Sequence, residues 1–171
     1  MMNLIKLTPE KEIKSFQCAD EDLNNFLIDD ARNFTKELLA VTYLLESEDK
    51  TIAYFSLLND KVDLEDTTKN ERNRFNRTIP NAKRYSSYPS VKLGRLAVSS
   101  EFSGQKYGTK ILDLIKWMFA KNNKTGCRYI TVDAYAQAIT FYEKNNFRFL
   151  TNEDIGESTR LMYFDLMTVI R

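Results

Sequence analysis

Hydrophobic residues recur along this chain in two patterns. One has the spacing of an amphipathic helix, and the other consists of short, mostly apolar runs typical of buried strands. Helical spacing runs from Asp20, a candidate N-cap, to Leu39, and again from Tyr107 to Ala120. Further helical patterns cover residues 136–145 and, more weakly, residues 67–75. Strands are predicted where β-branched, aromatic and leucine residues concentrate, at residues 3–7, 40–45, 52–58, 91–98, 128–133, 147–151 and 160–166.

The order of these elements predicts an α/β fold with a mixed sheet. Strands and helices do not alternate strictly, since three strands follow one another before the long helix at residues 107–120. The polar turn at residues 46–50 joins two of them as a hairpin, and parallel pairing is expected around the crossover formed by the long helix. Residues 61–89 are polar and are the least regular part of the pattern.

The stretch from 91 to 120 reads as a buried strand, a polar turn with Gly104 and Gly108, and an amphipathic helix. A helix N-terminus presents backbone N–H groups without intrahelical partners at the positive end of the helix dipole. Such a turn binds phosphate, and a glycine lets the phosphate approach the backbone. The same pattern also fits an ordinary helix start without a ligand.

Composition narrows the class of protein. A chain of 171 residues with 43% hydrophobic content fits one domain, residues 1–171, and no Pro/Gly/Ser-rich linker divides it. We expect a soluble cytoplasmic protein without membrane association, because no long apolar segment or secretory signal is evident. Cys18 and Cys127 lie far apart in sequence, which favours buried thiols over a disulfide or a metal site.

The absence of histidine excludes several mechanisms. Ser-His-Asp and Cys-His catalysis both need a histidine, and the sequence contains none. No GxxxxGK[ST] string is present either, so a P-loop is excluded.

Charge is unevenly distributed in a chain whose net charge is +1. Between residues 69 and 84 there are six basic residues and one acidic residue, a local charge of +5. Such a run is most often a solvated face. The alternative is a surface for RNA, with Phe75, Tyr85 and Tyr88 available for stacking on bases.

The turn after the central strand resembles the Gln/Arg-x-x-Gly-x-Gly/Ala signature of the GNAT N-acetyltransferase superfamily. Gln105 and Gly108 occupy its first two defined positions, and Lys110 stands where the family has a small residue. The resemblance implies that acetyl-CoA binds here as cosubstrate, without a metal. The residues implied to contact the cofactor are Leu96, Ala97, Val98, Gln105, Lys106, Tyr107, Gly108, Thr109 and Lys110.

A second motif supports the resemblance. Ala138, Phe141, Tyr142 and Phe147 fit the A-x-x-F-Y-x-x-x-G-F pattern of the superfamily, with Asn146 replacing its glycine. Asparagine tolerates the left-handed conformation at a helix C-terminus, so the turn is expected to persist. The implied fold is the GNAT fold, a mixed six- to seven-stranded sheet flanked by helices.

The resemblance also implies the chemistry. The central strand and its neighbour at residues 128–133 are expected to splay, so that pantetheine hydrogen-bonds to the backbone of residues 96–98. An N–H near Val98 would polarise the thioester carbonyl. Tyr142 is implied to be the general acid, and the alternative is a core aromatic residue beside Phe141. For a base, Glu101, Asp133 and Glu143 are the candidates, acting through water.

The acceptor is left open by the sequence. The segments FQCADEDLNNFL, YFSL and LGRLAV resemble the branch that includes acetyltransferase toxins, whose targets are aminoacyl-tRNAs. This branch implies an amine acceptor on tRNA and an antitoxin partner. The basic segment from Lys69 to Arg84 is the candidate surface for that tRNA. A homodimer is common in the superfamily. The alternatives are a small-amine or protein amino-group acetyltransferase, and a non-catalytic CoA-binding regulatory module.

Overall fold

A computed structural model describes residues 2–65 and 67–170. Within this part of the chain, seven strands form one mixed sheet in the order β1-β2-β3-β4-β5-β7-β6. The strands are β1 Asn3–Lys6, β2 Val41–Glu46, β3 Thr51–Asp63, β4 Ser87–Val98, β5 Tyr129–Tyr135, β6 Arg148–Phe149 and β7 Thr159–Asp165. The predicted α/β class and mixed sheet are confirmed.

Six α-helices lie in the described part of the chain. They are α1 Glu21–Asn25, α2 Ala31–Lys36, α3 Lys69–Asn76, α4 Tyr107–Lys121, α5 Ile139–Lys144 and α6 Met167–Ile170. The predicted N-cap of α1 is confirmed, since the Asp20 side chain accepts a hydrogen bond from the amide of Leu23. A single π-helical turn, Phe26–Asp30, separates α1 from α2. No helix in the described residues is long and apolar enough to cross a membrane.

The chain divides into two compact units, residues 1–58 with 93–115, and residues 59–92 with 116–171. The first unit contains the predicted hairpin, in which β2 and β3 pair antiparallel from Val41 with Leu57 to Glu46 with Thr51. Its core joins the strands to α1, the π-helical turn and α2. The buried residues of this core are Leu7, Phe16, Cys18, Phe26, Leu27, Ala31, Leu44, Tyr54 and Ala97.

The second unit contains the predicted parallel pair. Ser90, Val91 and Lys92 of β4 pair with Tyr129, Ile130 and Thr131 of β5. β5 then pairs antiparallel with β7 over its whole length. The aromatic core of this unit consists of Val62, Leu64, Phe75, Ile79, Tyr88, Tyr129 and Leu150.

The expectation that residues 61–89 are irregular is wrong at both ends. β3 continues to Asp63 and β4 begins at Ser87. Beyond Leu58 the strand alternates more and less exposed residues, with Asn59 and Lys61 exposed and Val62 buried. This end of β3 has one solvent-exposed face, which carries polar residues. The sequence there is therefore too polar to be identified as a strand from its hydrophobic content.

Candidate functional site

The predicted phosphate-binding turn lies in the first unit. β4 ends at Val98, and the amide of Ser99 donates to the carbonyl of Ile52 at 2.8 Å. A 3₁₀ turn, Ser100–Phe102, follows, and α4 begins at Tyr107. The strand, turn and helix predicted from residues 91–120 are therefore present.

Two residues of this turn adopt left-handed backbone conformations. Gly104 has φ 77° and Lys106 has φ 63°. No described heavy atom lies within 4 Å of a Cβ built at Gly104, so the glycine is required by its conformation and not by crowding. A lysine in this region costs about 1–2 kcal/mol. The strained residue stands directly before the helix, where it redirects the chain.

The charges of the turn favour an anion. Residues 103–110 contain Lys106 and Lys110 and no acidic residue, and Gly104, Gln105 and Lys106 are exposed. The first amides of the 15-residue helix α4 have no intrahelical acceptors. Backbone N–H groups and two cations suit a pyrophosphate. The residues present therefore fit the phosphates of acetyl-CoA.

Lys110 differs from its neighbours in the turn. Its amide donates to the carbonyl of Lys106 at 3.1 Å, which closes the first turn of α4. Its side chain lies over the ring of Tyr107, with 4.8 Å between Nζ and the ring centroid. Lys110 can therefore offer a phosphate its ammonium group, whereas its amide is already used by the helix.

The strand residues predicted to contact pantetheine lie at the end of β4. Leu96 and Val98 are half-buried, and Ala97 is buried in the core of the first unit. Gly94 precedes them, and a Cβ there would come within 2.7 Å of Leu58 Cδ2. A larger residue at position 94 would therefore require the Leu58 side chain to shift.

Tyr142 lies on α5 in the second unit. It is 7% exposed, and its ring meets those of Phe141 and Phe147 edge to face, with centroids 5.1 and 5.3 Å apart. Burial raises the pKa of the Tyr142 phenol above its usual value. The shift favours the neutral phenol, which is the form that can donate a proton.

The turn after α5 has the conformation predicted for it. Asn146 has φ 67°, so the expectation that asparagine preserves a left-handed turn is confirmed. The carbonyl of Tyr142 accepts hydrogen bonds from the amides of Asn145 and Phe147, both at 3.0 Å. This turn fixes the backbone of Tyr142.

The three candidate bases are exposed to solvent, unlike the buried carboxylates that often serve as general bases. Glu101 is 60% exposed and its carboxylate lies 2.6 Å from Lys50 Nζ. Asp133 is 43% exposed and forms an ion pair with Lys92, while Glu143 is exposed on α5. None of the three is a buried carboxylate held beside an apolar pocket, and two of them are already engaged by a lysine.

The basic segment, residues 69–84, is more strongly cationic on its surface than its sequence suggests. All six of its basic side chains are exposed, whereas its one acid, Glu71, is 8% exposed. Glu71 accepts hydrogen bonds from the amides of Thr68 at 2.9 Å and Asn152 at 2.7 Å. The Thr68 amide contributes most to holding the pKa of Glu71 below its usual value.

The prediction that Phe75 and Tyr88 are available for stacking on bases is wrong. Phe75 is 3% exposed and Tyr88 is 7% exposed, because both pack on Tyr129 in the core of the second unit. They are not available for stacking on bases. Tyr85, at 66% exposed, keeps an accessible ring.

Two features of the second unit escaped the sequence analysis. Lys116 of the long helix, a residue type that is mostly exposed, is only 7% exposed. Its position four residues after the buried Leu112 and next to Ile115 was the signal for burial. The pair Thr68 and Glu71 forms a capping box at the start of α3, which the S/T-x-x-E rule identifies.

Both cysteines are buried free thiols, as predicted. Burial raises the pKa of Cys18 and raises that of Cys127 to about 11. Both shifts disfavour the thiolate, which is the reactive form of cysteine.

A family model for the acetyltransferase (GNAT) domain matches residues 40–149. The matched region includes the turn before α4 and Tyr142 on α5. The chain belongs to the GNAT acetyltransferase family. Among curated proteins, the sequence has no match.

Solved structures share this GNAT fold over nearly the whole chain. The complex of AtaT with acetyl-methionyl-tRNAfMet has TM-score 0.81 and 22% identity, covering 99% of this chain and 98% of that one. A tyrosine-to-phenylalanine mutant of KacT has TM-score 0.80 and 21% identity, with coverage of 99% and 97%. A tyrosine-to-phenylalanine mutant of the toxin AtaT, bound to the C-terminus of the antitoxin AtaR and acetyl-CoA, has TM-score 0.76 and 21% identity, with coverage of 99% and 96%.

Proposed function

We propose that this GNAT acetyltransferase moves an acetyl group from acetyl-CoA to the α-amino group of an aminoacyl-tRNA. Membership of the family supports the donor and the reaction. The likeness of fold to AtaT, which is solved with acetyl-methionyl-tRNAfMet, supports the acceptor. The observation that carries the choice of acceptor is the basic segment, whose six cations face solvent while its one acid is buried.

In this proposal the turn before α4 holds the phosphates of acetyl-CoA. The amides of residues 105–109 donate to the phosphate oxygens, and the Lys110 ammonium adds a cation. The backbone of Leu96, Ala97 and Val98 hydrogen-bonds to pantetheine. The N–H near Val98 polarises the thioester carbonyl, where negative charge develops as the amine attacks.

Tyr142 acts as the general acid. The amine nitrogen forms a bond to the carbonyl carbon, the carbon–sulfur bond breaks, and the departing sulfur takes a proton from the phenol. Because burial raises the pKa of Tyr142, this transfer is less favourable than for an ordinary phenol, which already lies about 1.5 units above a thiol. A fixed position offsets this disadvantage, because the donor is already in place when the sulfur leaves.

No dedicated base is needed for this acceptor. The α-amino group of an aminoacyl ester is less basic than a lysine side chain, so more of it is neutral near pH 7. The exposed, ion-paired states of Glu101 and Asp133 agree with a reaction in which water removes the proton.

The likeness of fold to AtaT, which is solved with the C-terminus of its antitoxin AtaR, also leads us to expect an antitoxin as a protein partner. The homodimer stays a prediction.

The acceptor is tested by a panel under one set of conditions with acetyl-CoA. The panel contains charged tRNA, the same tRNA after deacylation, a polyamine, and a peptide with a free N-terminus. Mass spectrometry of the released terminal aminoacyl-adenosine should show one added acetyl group with charged tRNA alone. Acetylation of the polyamine or the peptide, without acetylation of charged tRNA, would contradict the proposed acceptor.

A further inference from the structure

Lys116 of α4 is a buried cation with specific partners in the second unit. Its side chain is 7% exposed, and Nζ donates to the carbonyl oxygen of Asn145 at 2.9 Å. The ammonium also lies over the rings of Phe164 and Phe147, at 4.4 and 5.9 Å from their centroids. Burial of an ammonium is costly unless hydrogen bonds and aromatic faces replace water. A methionine would fill similar space without the cost of burying an ammonium group. The lysine is therefore explained by the contacts that its charge makes.

The carbonyl that Lys116 binds lies at the C-cap of α5. The last carbonyls of a helix have no intrahelical donors. A cation at this end is also stabilised by the negative end of the helix dipole. The same turn carries the two amides, those of Asn145 and Phe147, that donate to the Tyr142 carbonyl. Lys116 thus binds the carbonyl of Asn145, the residue whose own amide binds the Tyr142 carbonyl.

The aromatic contacts form a second connection between the same groups. The Phe147 ring packs on Tyr142 with centroids 5.3 Å apart and on Phe164 with centroids 5.6 Å apart. The ammonium of Lys116 faces both phenylalanine rings. These contacts connect the Lys116 ammonium to the ring that packs on Tyr142.

We propose that Lys116 is a positioning residue for Tyr142. It acts through the Asn145 carbonyl and the Phe147 ring, and it touches no reacting atom. This inference rests on the proposed function insofar as Tyr142 is taken to be the general acid. It adds a residue outside both sequence motifs to the machinery of the reaction.

The positioning itself is tested by amide hydrogen exchange in the full chain. In Lys116→Met the amides of Asn145 and Phe147 should exchange about ten-fold faster or more than in the wild type, because their turn opens more often. Lys116→Arg, which keeps the cation, should restore protection in part. Lys121→Met, an exposed change on the same helix, should leave both amides as they are. Unchanged exchange in Lys116→Met would overturn the proposal.

The catalytic consequence is tested by a double-mutant cycle with the acceptor that the panel identifies. Lys116→Met should lower kcat about ten-fold without changing the KM for acetyl-CoA, and should have no effect in a Tyr142→Phe background. An equal loss of kcat in both backgrounds would show that Lys116 does not act through Tyr142. A Tyr142→Phe variant with full kcat would instead remove the proposed general acid, while the exchange result would still report on Lys116.

A variant that retains a donor guards against misfolding. If Lys116→Met fails to fold, Lys116→Gln places a neutral amide where it can still donate to the Asn145 carbonyl. In preparations whose circular dichroism matches that of the wild type, the amides of Asn145 and Phe147 in Lys116→Gln should exchange faster than in the wild type, because the charge is lost. Wild-type protection in Lys116→Gln would contradict a role for the cation.

Discussion

The amide of Phe147 donates a 3.0 Å hydrogen bond to the carbonyl oxygen of Tyr142, and the two rings meet edge to face with centroids 5.3 Å apart. One residue therefore fixes both the backbone and the ring of the proposed general acid. A proton donor held in place loses little entropy when the leaving group departs. The turn at Asn146 therefore supports the side chain to which the proposal assigns the proton transfer.

Replacing the phenol tests the proposed general acid. Tyr142→Phe should lower kcat about ten-fold or more and leave the affinity for acetyl-CoA unchanged, since the ring and its packing remain. Tyr163→Phe, which removes a hydroxyl from another partly buried ring of the second unit, should keep full kcat. Steady-state kinetics with varied acetyl-CoA measure both parameters, and an unaltered kcat in Tyr142→Phe would remove the residue from the mechanism.

The pH dependence follows from the direction of the Tyr142 pKa shift. Burial disfavours the phenolate, so the donor stays neutral above the pH at which an exposed tyrosine ionises, about 10. The profile of kcat should therefore show no loss from Tyr142 ionisation as pH rises from neutral to that value. A fall in kcat near pH 8–9 that disappears in Tyr142→Phe would contradict this assignment.

Much of the candidate site was predictable because its signals are local. The glycine turn, the helix period of α4 and the Asn146 turn each depend on neighbouring residues, and each appears where predicted. The fates of Phe75, Tyr88 and Lys116 depend on partners distant in sequence, such as Tyr129 and Asn145. No periodicity within a basic or amphipathic segment identifies such partners, so the burial of Phe75 and Tyr88 and the contacts of Lys116 needed the structure.

Gly108 tests the phosphate turn. Gly108→Val should weaken acetyl-CoA binding about ten-fold or more, because a side chain in the first turn of α4 would hold the phosphates away from the backbone. Binding of acetyl-pantetheine, which has no pyrophosphate, should change much less. Calorimetric titration with both ligands separates the two, and equal losses for both would place the defect outside the phosphate contacts.

Glu71 should make the second unit sensitive to acid. Hydrogen bonds hold its pKa below the usual value, so its contribution to stability is present above the pKa of the unfolded chain, about 4.3, and is lost as pH falls through the folded value. Glu71→Gln should lower Tm at pH 7, and the difference from the wild type should shrink below about pH 4. The exposed Glu153→Gln should leave Tm unchanged at both values. A difference in Tm that is independent of pH would refute the role of the charge.

The basic segment should bind tRNA through phosphates. Arg74→Gln combined with Arg77→Gln should raise the KM for charged tRNA and leave that for acetyl-CoA unchanged, because both guanidinium groups are exposed. The slope of log Kd against log salt should become shallower by about 0.7–0.9 for each phosphate that the double variant no longer neutralises. Lys36→Gln, an exposed change on α2, is the matched control. An unchanged salt slope in the double variant would exclude the segment from tRNA binding.

The central claim, that this GNAT chain uses acetyl-CoA, is tested most directly by thermal unfolding in the presence of that ligand. A ligand at about 100 times its Kd stabilises the folded state by about 2.7 kcal/mol, which raises Tm by several degrees in a chain of this size. The account predicts a Tm that rises with acetyl-CoA concentration, and a smaller rise in Gly108→Val at the same concentrations. A wild-type Tm that does not move at millimolar acetyl-CoA would contradict it.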